Sequence, residues 1–140
     1  MPRKDKYHSL VREALELDGW VITDDPLTVP TPGLDFYIDL GAERDMIGAQ
    51  KEGVEIAIEI KSLEGNSFFY DFHQALGQFM MYRLALKKAG KKHVLFLAIP
   101  DAIFVRLKRV EIYREAWKEY QVNMLIFNHV KKKIVKWIKN

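Results

Sequence analysis

At 140 residues the chain has the size of one domain, long enough to bury roughly two-thirds of the surface its unfolded form would expose. Hydrophobic residues make up 49% and charged residues 29%, with no repeat or biased segment, which excludes a disordered or fibrous protein. Cysteine is absent, so disulfides, thiol catalysis and thiolate metal sites are excluded, and the net charge of +3 is compatible with a polyanionic partner without demanding one. The start "MPRKDKYHSL" lacks the apolar stretch of a secretory signal and no run is long enough to span a bilayer, so a cytoplasmic protein without membrane association is expected.

Residues 5–18 place Tyr7, Leu10, Val11, Ala14 and Leu15 at helical spacing, with Asp5 as N-cap and Gly19 as the stop. Glu16 lies opposite that stripe and Glu13 on its flank, from where a carboxylate can reach toward a neighbouring sheet. "WVIT" predicts a short strand, and "VPTPGL", with two prolines and a glycine, predicts a loop. From Asp35, "DFYIDLG" alternates Phe36, Ile38 and Leu40 with Asp35, Tyr37 and Asp39, the pattern of one strand. A turn at Lys51-Glu52-Gly53 then feeds the strand "VEIAIEIK".

The longest helix follows, with Phe72, Ala75, Leu76, Phe79, Met80 and Leu84 at 3.6-residue spacing and Gly90 at its end. "HVLFLAIP" is almost continuously apolar, as expected of a central strand covered on both faces. Residues 101–120 read as helical with a break near Lys108, and "VNMLIF" with "KIVKWI" reads as a closing hairpin. This order predicts an α/β protein with a mixed central sheet flanked by helices.

Alternation puts Glu59 and Lys61 on one face of their strand with Ala57, while Ile56, Ile58 and Ile60 take the other. Asp39 belongs to the polar face of the preceding strand. If the two strands are neighbours, two carboxylates and one amine converge above a small alanine. Two carboxylates with a backbone carbonyl, here that of Ile60, form the partial oxygen shell that Mg²⁺ or Mn²⁺ accepts. Such an ion polarises a phosphodiester and acidifies bound water, and Lys61 beside it can position that water.

Asp39 followed by Glu59-Ile60-Lys61 resembles the D…(D/E)-x-K core of the PD-(D/E)xK nuclease superfamily, the restriction-endonuclease-like fold. "QFMMY", with Gln78 and Tyr82, is similar to the Q-x-x-x-Y signature of its RecB-like branch. At the family level, "DGWVITDDPL", "FYIDLGAER", "AIEIKS", "QALGQFMMYR" and "IVKWI" resemble the XisH family, the cyanobacterial fdxN element excision controlling factors. The resemblance implies a single restriction-endonuclease-like domain over 1–140, a role in controlling excision of a DNA element, and a XisI-type protein partner. It also implies DNA as a partner, Asp39, Glu59, Ile60 and Glu13 as metal ligands, and Asp39, Glu59, Lys61 and Gln78 as catalytic residues.

The literal Pro-Asp dipeptide of the superfamily is missing at the acidic position, where Ile38 precedes Asp39, so Asp35 and Glu43 compete with Asp39 for that position. Plainer explanations stand beside the sharp ones. Glu59 and Lys61 can form a solvated charge pair, Gln74 and Gln78 are good helix formers, and the clusters Lys87/Lys88/Lys91/Lys92 and Lys131–Lys133/Lys136/Lys139 can serve solubility. Two functions follow from different classes: a Mg²⁺-dependent endonuclease, or a non-catalytic accessory subunit that binds DNA or a partner protein. A homo-oligomer is compatible with either, and His8, His73, His93 and His129 receive no role.

Overall fold

The computed structural model describes residues 4–45, 53–65 and 67–140. In chain order the elements are α1 (His8–Leu17), β1 (Val21–Asp24), β2 (Leu27–Thr31), β3 (Leu34–Ile38), β4 (Leu40–Arg44) and β5 (Val54–Ile60). Then come α2 (Phe68–Lys88), β6 (Val94–Pro100), α3 (Asp101–Lys108), α4 (Glu111–Glu119), β7 (Met124–Asn128) and β8 (Lys133–Ile138). Six strands make one mixed sheet in the order β1-β4-β5-β6-β7-β8, and β2 pairs with β3 in a separate two-stranded hairpin. Strands β5, β6 and β7 run parallel; the other neighbours are antiparallel.

Each face of the sheet has its own core. On one, Val11 and Leu15 of α1 cover Leu40, Ile56, Ile58, Ile60, Phe96 and Leu125. On the other, Phe72 and Phe79 of α2, Leu107 of α3, Trp117 of α4 and the hairpin residues Leu27, Val29 and Ile38 cover Ala57, Leu97, Ile99 and Ile126. The apolar run of β6 is thus buried from both sides, as its composition predicts. Gly19 ends α1 at φ +94°, a conformation that favours glycine. Asp71 in the first turn of α2 and Lys87 and Lys88 in its last turn complement the helix dipole.

Two expectations change. The single strand expected from Asp35 divides at Asp39: β3 leaves for the hairpin and β4 joins the main sheet. The expected loop is largely β2, with Pro30 opposite Asp35 in a hairpin that has no third strand to demand its missing N–H. The break expected near Lys108 is present: α3 ends there and α4 starts after an extended Val110. The turn expected at Lys51-Glu52-Gly53 lies, apart from Gly53, outside the described residues.

Candidate functional site

The site forms where the β4–β5 ladder stops. Leu40 faces Ile58 across that ladder, so a straight continuation would set residue 38 opposite Ile60. Ile38 is instead drawn into the core beneath α2 as part of the hairpin, and the Ile60 N–H loses its backbone partner. The Asp39 carboxylate replaces it, Oδ2 accepting from Ile60 N–H at 2.7 Å. Glu59 answers in kind, Oε1 accepting from the Asp39 N–H at 3.3 Å. Lys61 Nζ stands 3.5 Å from Glu59 Oε2, and the Lys61 N–H donates to Ala98 O at 3.0 Å, fixing the backbone beneath it.

Glu59 faces the α2 side of the sheet with Ala57, and that side is covered, so only 6% of the residue is exposed. Glu59 is therefore covered between strands and helix, while Lys61 beyond it is partly exposed. Burial, followed by the negative charge of Asp39, pushes Glu59 up to about 8, against the pull of Lys61. Burial likewise raises Asp39 above the ordinary carboxylate range, although the Ile60 N–H, His8 and Lys61 all favour its anion. Tyr82 of α2 is half-buried, its phenol pushed up by burial and by the charges on Glu59 and Asp39. Beside Lys61 a cleft of ≈ 210 Å³ opens between Asp5, Ser62, Glu64, Asp71 and Gln74.

The protein-family comparison matches the XisH protein family over residues 1–135. The chain belongs to the XisH family. An XisH family protein from Nostoc punctiforme PCC 73102, of known crystal structure, is 40% identical, with a TM-score of 0.85 over 96% of this chain and all of the other. A fdxN element excision controlling factor protein from Anabaena variabilis is 36% identical, with a TM-score of 0.85 over 97% of this chain and all of the other. Comparison with curated proteins gives no match.

In this XisH-family chain Asp39, Glu59, Ile60 and Lys61 meet at one point, while the competitors Asp35 and Glu43 are exposed elsewhere. Asp35 sits in the hairpin opposite Pro30, and Glu43 lies farther along β4 opposite Glu55. Gln78 is half-buried one helical turn before Tyr82, and Gln74 lines the cleft while its amide donates to Tyr70 OH at 3.0 Å. Glu13 is not brought to the pair: it is exposed on α1, about 140° around the helix from His8, the α1 side chain whose charge reaches Asp39.

His8 is a residue to which the sequence assigns no role and the structure does. It is buried, with Nε2 2.7 Å from Asp25 Oδ1, and Arg12 Nη1 donates to Asp25 Oδ2 at 2.6 Å. Burial would raise Asp25, but Arg12, His8 and Lys4 outweigh it and hold this carboxylate below its usual range. Asp5, expected as an N-cap, accepts from the Tyr7 N–H on Oδ1 at 3.0 Å and also ties the site loop, Oδ2 accepting from the Ser62 N–H at 2.9 Å. A signal for His8 is present in the sequence, because it precedes Val11 and Leu15 by three and seven positions on the buried stripe.

Among the described residues no three or more His, Cys, Asp or Glu side chains gather as a metal cluster. The pair offers a smaller shell. Asp39 Oδ2 and Glu59 Oε1 accept from backbone donors and Glu59 Oε2 faces Lys61 Nζ at 3.5 Å, so a cation here would share Glu59 with Lys61 and draw on Asp39 Oδ1 and the Ile60 carbonyl. Such a hard, incomplete set fits Mg²⁺, which keeps most of its waters. Burial is the first cause of the raised pKa of both acids, and a cation bound between them would favour their anionic forms.

Proposed function

We propose that the chain takes part in controlling excision of a DNA element and that its site hydrolyses phosphodiester bonds of DNA with Mg²⁺ or Mn²⁺. Family membership and the name of the Anabaena variabilis relative support the first part. The convergence of Asp39, Glu59 and Lys61 at a buried strand end supports the second. In this reading Asp39, Glu59 and the Ile60 carbonyl hold the ion, which supplies polarisation of the phosphoryl group and a more acidic water. Lys61 is the hydrogen-bond donor that orients that water or a phosphate oxygen, and Gln78 and Tyr82 border the substrate. DNA and a XisI-type protein are the partners.

Cations frame the same end of the sheet. Tyr7 stacks on His129 with ring centroids 5.4 Å apart, which brings the β7–β8 turn with Lys131 and Lys132 to the carboxyl ends of the parallel strands, where Lys6 is paired with Glu64. A phosphate backbone is the ligand that such a rim suits.

Two measurements on purified protein test the reading: cleavage of single- and double-stranded DNA with Mg²⁺ or Mn²⁺, and the rise in Tm that the cation produces. Wild type should cleave, and Lys61→Ala should lose at least about 100-fold in rate while keeping its cation-dependent Tm rise. Glu59→Gln should lose both. Absence of cleavage on every DNA form, together with a Tm indifferent to the cation, rejects the nuclease reading.

A second reading is favoured by the reciprocal bonds themselves. Asp39 and Glu59 each spend an oxygen on the other strand's end, as a clamp closing the sheet would do. A chain that binds DNA or its partner but cleaves nothing, with Lys61→Ala as competent as wild type in excision, selects this accessory role.

A further inference from the structure

Helix α2 packs Phe72, Ala75 and Phe79 against the sheet, yet its opposite face is not polar. Tyr70, Gln74, Gly77, Met81, Leu84 and Lys88, at alternating spacings of four and three, form one exposed stripe along its length. That is the seam spacing of paired helices. Tyr70 is 62% exposed, Met81 51% and Leu84 48%. A helix apolar on both faces is one that is covered on both. Beside the stripe, between α2 and α4, runs an open groove of ≈ 940 Å³ lined by Leu76, Met80, Ile112 and Tyr120, with Ile112 64% exposed.

We infer that this face is a self-association surface on which α2 of a second copy lies antiparallel across a two-fold axis. The stripe is complementary to its own reversal. Turned about its midpoint, it sets Gly77 against Met81 of the other copy, Gln74 against Leu84, and Tyr70 against Lys88, so that polar residues close the ends. Gly77 lies mid-helix, where glycine weakens the helix, and a Cβ added there would meet nothing within 4 Å in this chain. Its openness has no use in the lone molecule; opposite Met81 it is the hollow that receives the longer side chain. The two-fold also keeps the α4 side of each copy on the same flank, so Ile112 and Tyr120 of both face one shared groove.

The area is sufficient. Tyr70, Met80, Met81, Leu84, Ile112 and Tyr120 together expose roughly 600 Å², at about 200 Å² for each whole residue, and flanking atoms bring this near the ~800 Å² per partner of a standard interface. It shares α2 with the site, Gln74 belonging both to the stripe and to the cleft beside Lys61, but it does not depend on whether the Asp39–Glu59 pair cleaves DNA.

Sedimentation equilibrium of the full chain, from about 1 µM to about 100 µM, decides the matter. The wild type should dimerise within that range, and Met81→Glu should weaken the dimer at least tenfold without loss of helical circular dichroism. Gly77→Glu provides the second, opposed readout: it should raise the Tm of the dilute monomer, because glutamate propagates a helix better than glycine, while abolishing the dimer. A wild type that stays monomeric overturns the inference and leaves the face to a partner of different sequence. A dimer that survives both substitutions overturns it as well, by placing the interface elsewhere.

Discussion

Glu59 carries a penalty that can be read by titration. Its folded pKa, about 8, lies above the unfolded value near 4.5, so between those pH values the folded chain holds a proton that the unfolded chain releases. The carboxyl is therefore harmless below the unfolded pKa, and stability falls as pH rises through the window to about 8. One proton corresponds to a slope of at most about 1.4 kcal/mol per pH unit. Urea unfolding at pH 5 and pH 8 should show this loss in wild type and a flatter profile in Glu59→Gln. Saturating Mg²⁺ should flatten it too if the pair binds the ion. At this scale the sequence speaks clearly where the chemistry is local, since Glu59, Ile60 and Lys61 are adjacent and Asp39 follows from register. It says less where partners are distant: the stripe of Val11 and Leu15 marks His8 as buried and leaves Glu13 outside it, but only packing reveals that the charge of His8 reaches Asp39.

The division at Asp39 is an event between elements. Phe36, Ile38 and Leu40 alternate without interruption, so nothing in residues 35–41 announces that β3 and β4 belong to different sheets. The cause is tertiary: residues before 39 pair with β2, and those after it with β1 and β5. Pro30 misleads in the same way, because its reputation as a strand breaker rests on ladders with neighbours on both sides. Ile38 is the pin that holds the hairpin down, fully buried among α2 and sheet residues. Ile38→Ala should cost about 2–5 kcal/mol in chemical unfolding. It should also lower the Glu59 pKa, because a loosened hairpin admits water to the carboxylate. The continuous apolar run of β6, the long period of α2 and the closing hairpin are legible because each repeats one signal over many residues.

Over the whole molecule, the two ends of the sheet differ in kind. The carboxyl ends of β5, β6 and β7 gather the acidic pair, Lys61, the start of α1 and the turn carrying Lys131 and Lys132. Among the described residues no ion pair is formed by Lys131, Lys132 or Lys133, so their charge is directed outward. Replacing these three by alanine should weaken binding to duplex DNA and reduce the dependence of log K on log salt by about 0.9 for each phosphate that is no longer neutralised. Fluorescence anisotropy across a salt series measures that slope. Folding should be unaffected, because the turn is held by the Asn128 side chain accepting from the Lys131 N–H at 2.7 Å.

The Ile60 amide is secured by a side chain in a place where its neighbours along β5 are secured by backbone. Its proton is thus a resident gauge. Whatever displaces the Asp39 carboxylate, whether acid or a pulled hairpin, frees that one amide for solvent exchange while the rest of the strand stays protected, so a single NMR resonance records the condition of the entire corner.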